Sequence, residues 1–230
     1  MAGEMNNKYI TNTPKLKTEF GDNLIYPFGP PIFQSELDPK FIKDLIDEGN
    51  KLTIKEDDWR TQLAGQMKFG GSYAYKEEFK LKAEKYLLNY VKRFFDKIID
   101  NFGEKQINQL LAIHGDKRTH GTLRLDKFWI NYQHKYDYNP PHTHTGKLSF
   151  VIHCKVPKTI FENQAISNTQ DAGKVIFMYG NEGHAFNNTS YPITPYEGLF
   201  LLFPANLTHH VPPFWVDEER ISVSGNFAVV

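Results

Sequence analysis

The sequence predicts an α+β protein that is mainly β, an antiparallel sandwich or jelly roll with helices packed on one face. Helical periodicity is confined to residues before about 120. After Gly121, short runs rich in Val, Ile, Phe and Tyr alternate with clusters of Pro, Gly and Asn, which is typical of strands. Because no helical segment lies between these runs, antiparallel pairing is expected.

Composition bounds the class of protein. Of 230 residues, 40% are hydrophobic and 14% are aromatic, which is enough for one aromatic-rich core. Lys+Arg and Asp+Glu number 27 each, so general nucleic-acid binding is not expected. A single cysteine, an N-terminus without an apolar run and the lack of about 18 consecutive apolar residues predict a cytoplasmic protein without membrane contact.

The first half predicts a helical support. Residues 1–22 are polar and non-periodic, which indicates a flexible leader, and 23–230 should form a single domain with helices over about 23–120 and a β core over about 121–230. Asp38 before Pro39 is a helix start. A second helix is expected from about Glu77 to Asn101, where apolar residues recur every three or four positions: Phe79, Ala83, Leu87, Tyr90, Phe94 and Ile98.

The second half predicts six strands. Their sequences are LRLDKFWINYQ, KLSFVIHCKVP, GKVIFMYG, EGLFLLFP, LTHHV and RISVSGNFAVV. Earlier, NLIYPFGPPIF should be an extended segment that its prolines confine to a sheet edge or a turn. The longest irregular stretch of the β half, Pro157 to Gly173, has the length of a lid or binding loop.

Histidines in PPHTHTG and in LTHHV are candidate metal ligands. His142 and His144 are two residues apart, so on a strand their side chains share a face. A third ligand must come from elsewhere, and only one of the adjacent His209 and His210 can face inward. Eleven residues after His209, Arg220 and Ser222 share a strand face. Because a buried arginine requires an anionic partner, a small carboxylate ligand is expected beside it.

The ordered motifs resemble the iron(II)- and 2-oxoglutarate-dependent oxygenases. That family carries an H-x-D/E pair, a distal His and an Arg about ten residues later, often followed by x-Ser, and HTH, LTHHV and RIS stand here in that order. The NP-H-x-H context is more similar still to a branch of such oxygenases from bacteria and tailed phages, related to prolyl hydroxylases. The resemblance covers about residues 128–227 and implies a double-stranded β-helix of the cupin-like kind, from a protein that a phage could encode and that would act in the host cytoplasm.

The resemblance also implies the chemistry. Fe(II) would be bound by His142, His144 and His209, and 2-oxoglutarate by Arg220 assisted by Ser222. With O2, oxidative decarboxylation of 2-oxoglutarate would then be coupled to hydroxylation of an unknown small molecule, peptide or protein. Two further residues, Asn131 and Gln133, stand where some members bind 2-oxoglutarate; the alternative is that they are polar strand residues that bond to neighbouring backbone.

One departure and several alternatives accompany this interpretation. His144 stands where most of the family has a carboxylate. In an alternative register His144 is the first ligand and Gly146 occupies the carboxylate position, as in related halogenases. A non-catalytic β-sandwich binding module, or a three-His cupin-type metalloenzyme that does not use 2-oxoglutarate, also fits the histidines. The other histidines are expected to be structural or to lie at the surface: His114, His120, His134, His153 and His184. Five aromatic residues could line a pocket but are expected in the core or at its rim: Trp129, Tyr132, Phe186, Tyr191 and Trp215.

Overall fold

The structure is a computed structural model that describes residues 21–27, 29–112, 122–162, 170–180 and 188–230. Almost all of the predicted leader, together with His114, His120, His184 and Phe186, lies outside the described residues. In the described ranges, no helix is long and apolar enough to cross a membrane.

Most of the helical structure lies before residue 113. The helices are α1 (Pro39–Gly49), α2 (Ile54–Asp57), α3 (Glu77–Phe102), α4 (Lys105–Ala112) and α5 (Thr159–Glu162), with a 3-10 turn at Arg60–Gln62. The predicted helix start is confirmed, since Asp38 caps α1 by accepting a 2.7 Å hydrogen bond from the Lys40 amide. The whole predicted apolar stripe of α3 is buried.

In the described ranges, eleven strands form two antiparallel sheets. The strands are β1 (Asn23–Ile25), β2 (Ile32–Glu36), β3 (Gly71–Ala74), β4 (Leu123–Gln133), β5 (Asn139–His142), β6 (Leu148–Lys155), β7 (Val175–Met178), β8 (Ser190–Ile193), β9 (Leu199–Pro204), β10 (Thr208–Val211) and β11 (Arg220–Val229). The larger sheet has the order β1-β2-β9-β6-β11-β4-β3, and the smaller has the order β5-β10-β7-β8. The fold is therefore the predicted double-stranded β-helix.

Two apolar clusters fix the layers, because alternate residues of a strand face opposite sides. On β9, Phe200 and Leu202 belong to a cluster that includes Leu87 and Phe94 of α3. Residues between them point the other way, so that Leu201 and Phe203 pack with residues of the smaller sheet such as Phe177. The helices thus cover one face of the larger sheet, as predicted, and the smaller sheet faces the other.

The predicted strands match closely. Three short strands of the described ranges, β3, β5 and β8, were not predicted. β4 has the predicted bounds, and the other five runs contain β6, β7, β9, β10 and β11. β3 pairs only with the edge of β4, and β5 contains two prolines and pairs only with β10. Such short strands depend on their partner for hydrogen bonds, so their local sequence carries little signal.

Candidate metal centre

Three histidines come together at one edge of the smaller sheet. His142 ends β5 and lies opposite His209 of β10 in the antiparallel register. His144 lies beyond the end of β5, so it does not share a strand face with His142, and its amide donates to the carbonyl of Ala205, between β9 and β10, at 2.8 Å. One nitrogen of each imidazole lies within 4.8 Å of the others. His210, the neighbour of His209, is half-buried on the outward side.

Hydrogen bonds orient two of these rings. The Nδ1 atom of His142 donates to the Pro140 carbonyl at 2.7 Å, and that of His209 donates to the Leu207 carbonyl at 2.9 Å. Each bond places the proton on Nδ1 and leaves Nε2 with a free lone pair, the form in which imidazole binds a metal. Nε2 of His144 lies 3.3 Å from Nε2 of His209. Two nitrogens bound to one ion at right angles would be separated by about 3 Å, so the donor set fits a metal.

Burial keeps all three imidazoles neutral. It lowers the pKa of His144 to about 3, and it lowers the pKa of His142 and of His209 as well. The rings of Phe177 and Phe203 pack against His209, and that of Trp129 against His144. A neutral imidazole is the form that a metal requires, and its apolar surroundings limit access of water.

No carboxylate joins this group in the part of the chain that the structure describes. Gly146, the candidate in the alternative register, has a φ of 95°, and a Cβ there would lie 2.6 Å from the Phe227 carbonyl oxygen. This close approach accounts for glycine at position 146 without a role at a metal.

A second group of polar side chains faces the histidines from the larger sheet. In the register of β11 with β4, Arg220 lies opposite Gln133, and Ser222 lies opposite Asn131. These four side chains are buried, and they line the same cavity as the three histidines, of about 50 Å³. Arg220 is the only charged residue among the described residues that line it. All seven side chains predicted for the site therefore meet in one place.

Hydrogen bonds fix the positions of these polar side chains. Asn131 Oδ1 accepts from the Ser72 hydroxyl at 2.7 Å, and Asn131 Nδ2 lies 3.5 Å from the Ser222 hydroxyl. Arg220 Nη1 donates to the Gly173 carbonyl at 2.8 Å, at the end of the loop that the sequence marked as a lid or binding loop. Burial lowers the pKa of Arg220 to about 10, so its guanidinium remains charged at neutral pH.

His153 is a member of this group that the sequence did not predict. It lies opposite Ser222 on β6, is fully buried, and its Nδ1 accepts from Arg220 Nη2 at 3.3 Å. The proton of the ring is then on Nε2. That atom, Arg220 Nε and Gln133 Nε2 are buried without a partner among the described residues. All three are donors, and a buried excess of donors beside a cation favours a carboxylate.

The buried His153 predicts a pH dependence of stability. Burial, and then the charge of Arg220, lower the pKa of His153 well below its ordinary 6.5. Below pH 6.5, His153 binds a proton in the unfolded chain but not in the folded protein. The free energy of unfolding therefore falls by about 1.4 kcal/mol per pH unit. His153→Gln keeps an acceptor for Arg220 but does not titrate. Its free energy of unfolding in urea should fall less steeply than that of wild type between pH 6 and 5, and parallel curves would refute this.

The remaining predictions have mixed outcomes. Trp129, expected to be structural, lines the cavity, whereas Tyr132 faces the helices and Trp215 is exposed. His134 lies at the surface with Nε2 3.6 Å from Glu219, as expected. The cavity wall also includes Leu63 and Gly65, which no motif identified because they belong to an irregular loop.

A family model matches the segment of the chain that contains the three histidines and Arg220. Residues 127–226 match a family model described as "Putative 2OG-Fe(II) oxygenase". The matched segment contains every residue predicted for the site, and the enzymes of this family use Fe(II) and 2-oxoglutarate. Among curated proteins, no sequence matches the chain.

Three of the solved structures that match the chain have TM-scores of 0.48 or 0.49. A prolyl-4-hydroxylase from Pseudomonas putida is 14% identical over 86% of this chain and 92% of its own, with a TM-score of 0.48. A viral collagen prolyl hydroxylase from Paramecium bursaria Chlorella virus-1 is 11% identical over 86% and 96%, with a TM-score of 0.48. HygX from Streptomyces hygroscopicus, with nickel and 2-oxoglutarate bound, is 10% identical over 86% and 83%, with a TM-score of 0.49.

Proposed function

We propose that the protein is an iron(II)- and 2-oxoglutarate-dependent oxygenase, whose family model residues 127–226 match, and that it is a hydroxylase. It would couple oxidative decarboxylation of 2-oxoglutarate to hydroxylation of a C–H bond in a second substrate. The observation that carries the proposal is one buried cavity with lone-pair donors to a metal on one wall and unpartnered hydrogen-bond donors around a cation on the other.

In this proposal His142, His144 and His209 bind Fe(II). The two backbone carbonyls that receive the Nδ1 protons of His142 and His209 fix these rings before the metal arrives. Bound iron, together with 2-oxoglutarate and O2, supplies the oxidising power. The protein's own contribution is to hold three neutral ligands on one side, leave the other side open and surround the centre with aromatic side chains.

At the other wall, Arg220 would bind the distal carboxylate of 2-oxoglutarate. Ser222, Asn131 and Gln133 would complete this pocket, and His153 would act as a positioning residue that holds the guanidinium through Nδ1. The Nε atom of Arg220 and Nε2 of Gln133 would then obtain acceptors that they lack within the described chain. Burying a carboxylate there removes the cost of an unpaired buried cation.

This donor excess also bears on the competing functions. A three-His cupin-type enzyme without 2-oxoglutarate would require no buried arginine across the cavity from its metal. A binding module would have no reason to bury three unpartnered donors beside it. Both alternatives account for the histidines and leave the opposite wall unexplained.

Labelled oxygen tests the reaction type. Candidate peptides, nucleosides and metabolites are incubated with the Fe(II)-loaded enzyme, 2-oxoglutarate and ¹⁸O₂, and succinate and products are analysed by mass spectrometry. A hydroxylase should place one ¹⁸O atom in succinate and the other in a new hydroxyl group of the substrate that stimulates turnover. A product that carries chloride, or that has lost two hydrogens without gaining oxygen, would contradict hydroxylation and leave the oxygenase assignment intact.

A further inference from the structure

Resting on the proposed function, we propose that Phe69, Tyr136 and Trp215 form a docking surface for an extended, apolar-rich polypeptide segment of the substrate. These three residues are called the aromatic surface below. Their side chains are 57%, 51% and 46% exposed and lie next to one another, and a contiguous exposed apolar patch is more informative than scattered exposed rings. The ring centroids of Phe69 and Tyr136 are 6.2 Å apart, and those of Tyr136 and Trp215 are 5.8 Å apart.

The turn that carries Tyr136 has an unfavourable backbone conformation. Tyr136 has a φ of 71° and is the only non-glycine residue with a positive φ in the described ranges. This conformation is strained for a bulky residue and persists only where its surroundings enforce it. Here the amide of Tyr136 donates to the Phe214 carbonyl at 3.0 Å, which ties the turn to the segment that carries Trp215.

A buried carboxylate fixes the second tie. Asp137 is 0% exposed, and it accepts four backbone amides: Lys68 at 2.8 Å, Phe69 at 3.0 Å, Gly70 at 2.8 Å and His134 at 3.0 Å. Charge-assisted hydrogen bonds of this kind are strong. Asp137 therefore clamps the loop of Phe69 to the turn of Tyr136, and the aromatic surface is pre-organised rather than incidental.

The aromatic surface adjoins the proposed active site. Each of its three segments also supplies a residue of the cavity wall: Gly65 precedes Phe69, Asn139 follows Tyr136 and Val211 precedes Trp215. An open groove of about 520 Å³ runs along the loop from Asp58 to Lys68 and shares Leu63 and Gly65 with the cavity. A chain lying on the rings would therefore pass the mouth of the cavity, where one side chain could enter.

Spacing and charge favour a polypeptide as the occupant. Alternate residues of an extended chain share a face and are about 6.4–6.8 Å apart, which is close to both ring separations. Two lysines, Lys68 and Lys135, lie over the rings, but Lys135 pairs with Asp217, and Glu218 and Glu219 follow directly. Lys155 also pairs with Glu219, so three cations stand against three acids, and without a net positive charge a nucleic-acid strand is disfavoured.

Peptide selection tests this inference on the full-length protein, loaded anaerobically with Fe(II) and 2-oxoglutarate. A random peptide display library is panned, and one enriched peptide is synthesised for affinity measurement. Trp215→Ala and Phe69→Ala should each weaken its binding by about 10-fold or more. Tyr196→Ala, which removes an exposed aromatic ring elsewhere, is the matched control and should leave the affinity unchanged. Oligothymidine and a maltooligosaccharide are measured in parallel.

A comparison of two variants tests whether Asp137 clamps the loop of Phe69 to the turn of Tyr136. Asp137→Asn removes two of the four acceptor positions, so hydrogen exchange of amides 68–70 should accelerate and peptide affinity should fall. Glu84→Gln alters another buried carboxylate, which accepts from Arg124 and the Leu125 amide, and should change neither readout. Equal effects of the two variants would reduce Asp137 to a general stabilising role.

Three results would each overturn the polypeptide proposal, and a further variant separates it from the proposed function. If no peptide is enriched, if peptides bind equally well to Trp215→Ala, or if that variant loses oligothymidine or oligosaccharide binding instead, the polypeptide proposal is overturned. Peptide binding does not require Arg220, so an Arg220→Met protein that still binds the peptide but not 2-oxoglutarate would support both proposals independently. Loss of the proposed function with peptide binding intact would leave a docking surface on a protein with different chemistry.

Discussion

Replacing His209 with alanine is expected to weaken Fe(II) binding by at least about 100-fold and to abolish 2-oxoglutarate turnover. Removing a residue that only supports a ligand commonly costs 10–100-fold in metal affinity, so removing the most buried of three ligands should cost more. His209 is also fixed from several sides, by the Leu207 carbonyl and by the rings of Phe177 and Phe203. Among the described residues, no further His, Cys, Asp or Glu joins the group and could replace it. Anaerobic equilibrium dialysis with Fe(II) measures the change.

His210→Ala provides the control for that prediction. This histidine is adjacent in sequence but half-buried on the outward side of β10, so its removal alters the local packing without touching the cavity. It should retain Fe(II) affinity and turnover. If His210→Ala loses Fe(II) binding and His209→Ala keeps it, the register of β10 in the proposed site is wrong.

Arg220→Met should raise the dissociation constant of 2-oxoglutarate by about 30-fold to a few thousand-fold while Fe(II) affinity is retained. Truncating one partner of a buried, hydrogen-bonded charge pair costs about 2–5 kcal/mol, and 1.4 kcal/mol is a factor of ten. Methionine fills a similar volume but supplies neither the charge nor the donors. Isothermal titration of the anaerobic Fe(II) protein with 2-oxoglutarate gives the number.

A general loss of structure must be separated from the loss of this contact. Arg220 also donates to the Gly173 carbonyl and contacts His153, so thermal unfolding of the ligand-free variant is measured alongside. Burying an unpaired cation is itself costly, and the ligand-free variant should therefore unfold near the wild-type temperature. Wild type should gain stability on adding 2-oxoglutarate and the variant should not. Unchanged 2-oxoglutarate affinity would mean that Arg220 serves the fold alone.

Much of the fold is readable from the sequence because its signals are local. The cap at Asp38 and the apolar stripe of α3 each specify a helix through short-range geometry. The alternation of β4 and β11 specifies which residues of each strand share a face, so strand periodicity alone groups Asn131 with Gln133 and Arg220 with Ser222. What escaped prediction are short edge strands such as β3, whose hydrogen bonds come from a distant partner.

The site was predictable where strand periodicity orders its residues, and it was missed where pairing between distant strands decides. His153 shares the face of Ser149 and Val151 on β6, but only the register with β11 brings it to Arg220. A lone histidine in an apolar run gives no such hint. The loop that contributes Leu63 and Gly65 was missed for the same reason. The carboxylate of Asp137, nearly 70 positions away in sequence, holds this loop through the amides of Lys68 and Gly70.

Diffraction from crystals grown anaerobically with Fe(II) and 2-oxoglutarate, recorded at the iron absorption edge, tests whether the three histidines and Arg220 form one site. We expect one anomalous peak among His142, His144 and His209, within bonding distance of a nitrogen of each ring, and the distal carboxylate of 2-oxoglutarate against Arg220. An iron bound by His142 and His209 with His144 turned away, or a 2-oxoglutarate molecule that does not reach Arg220, would contradict this expectation.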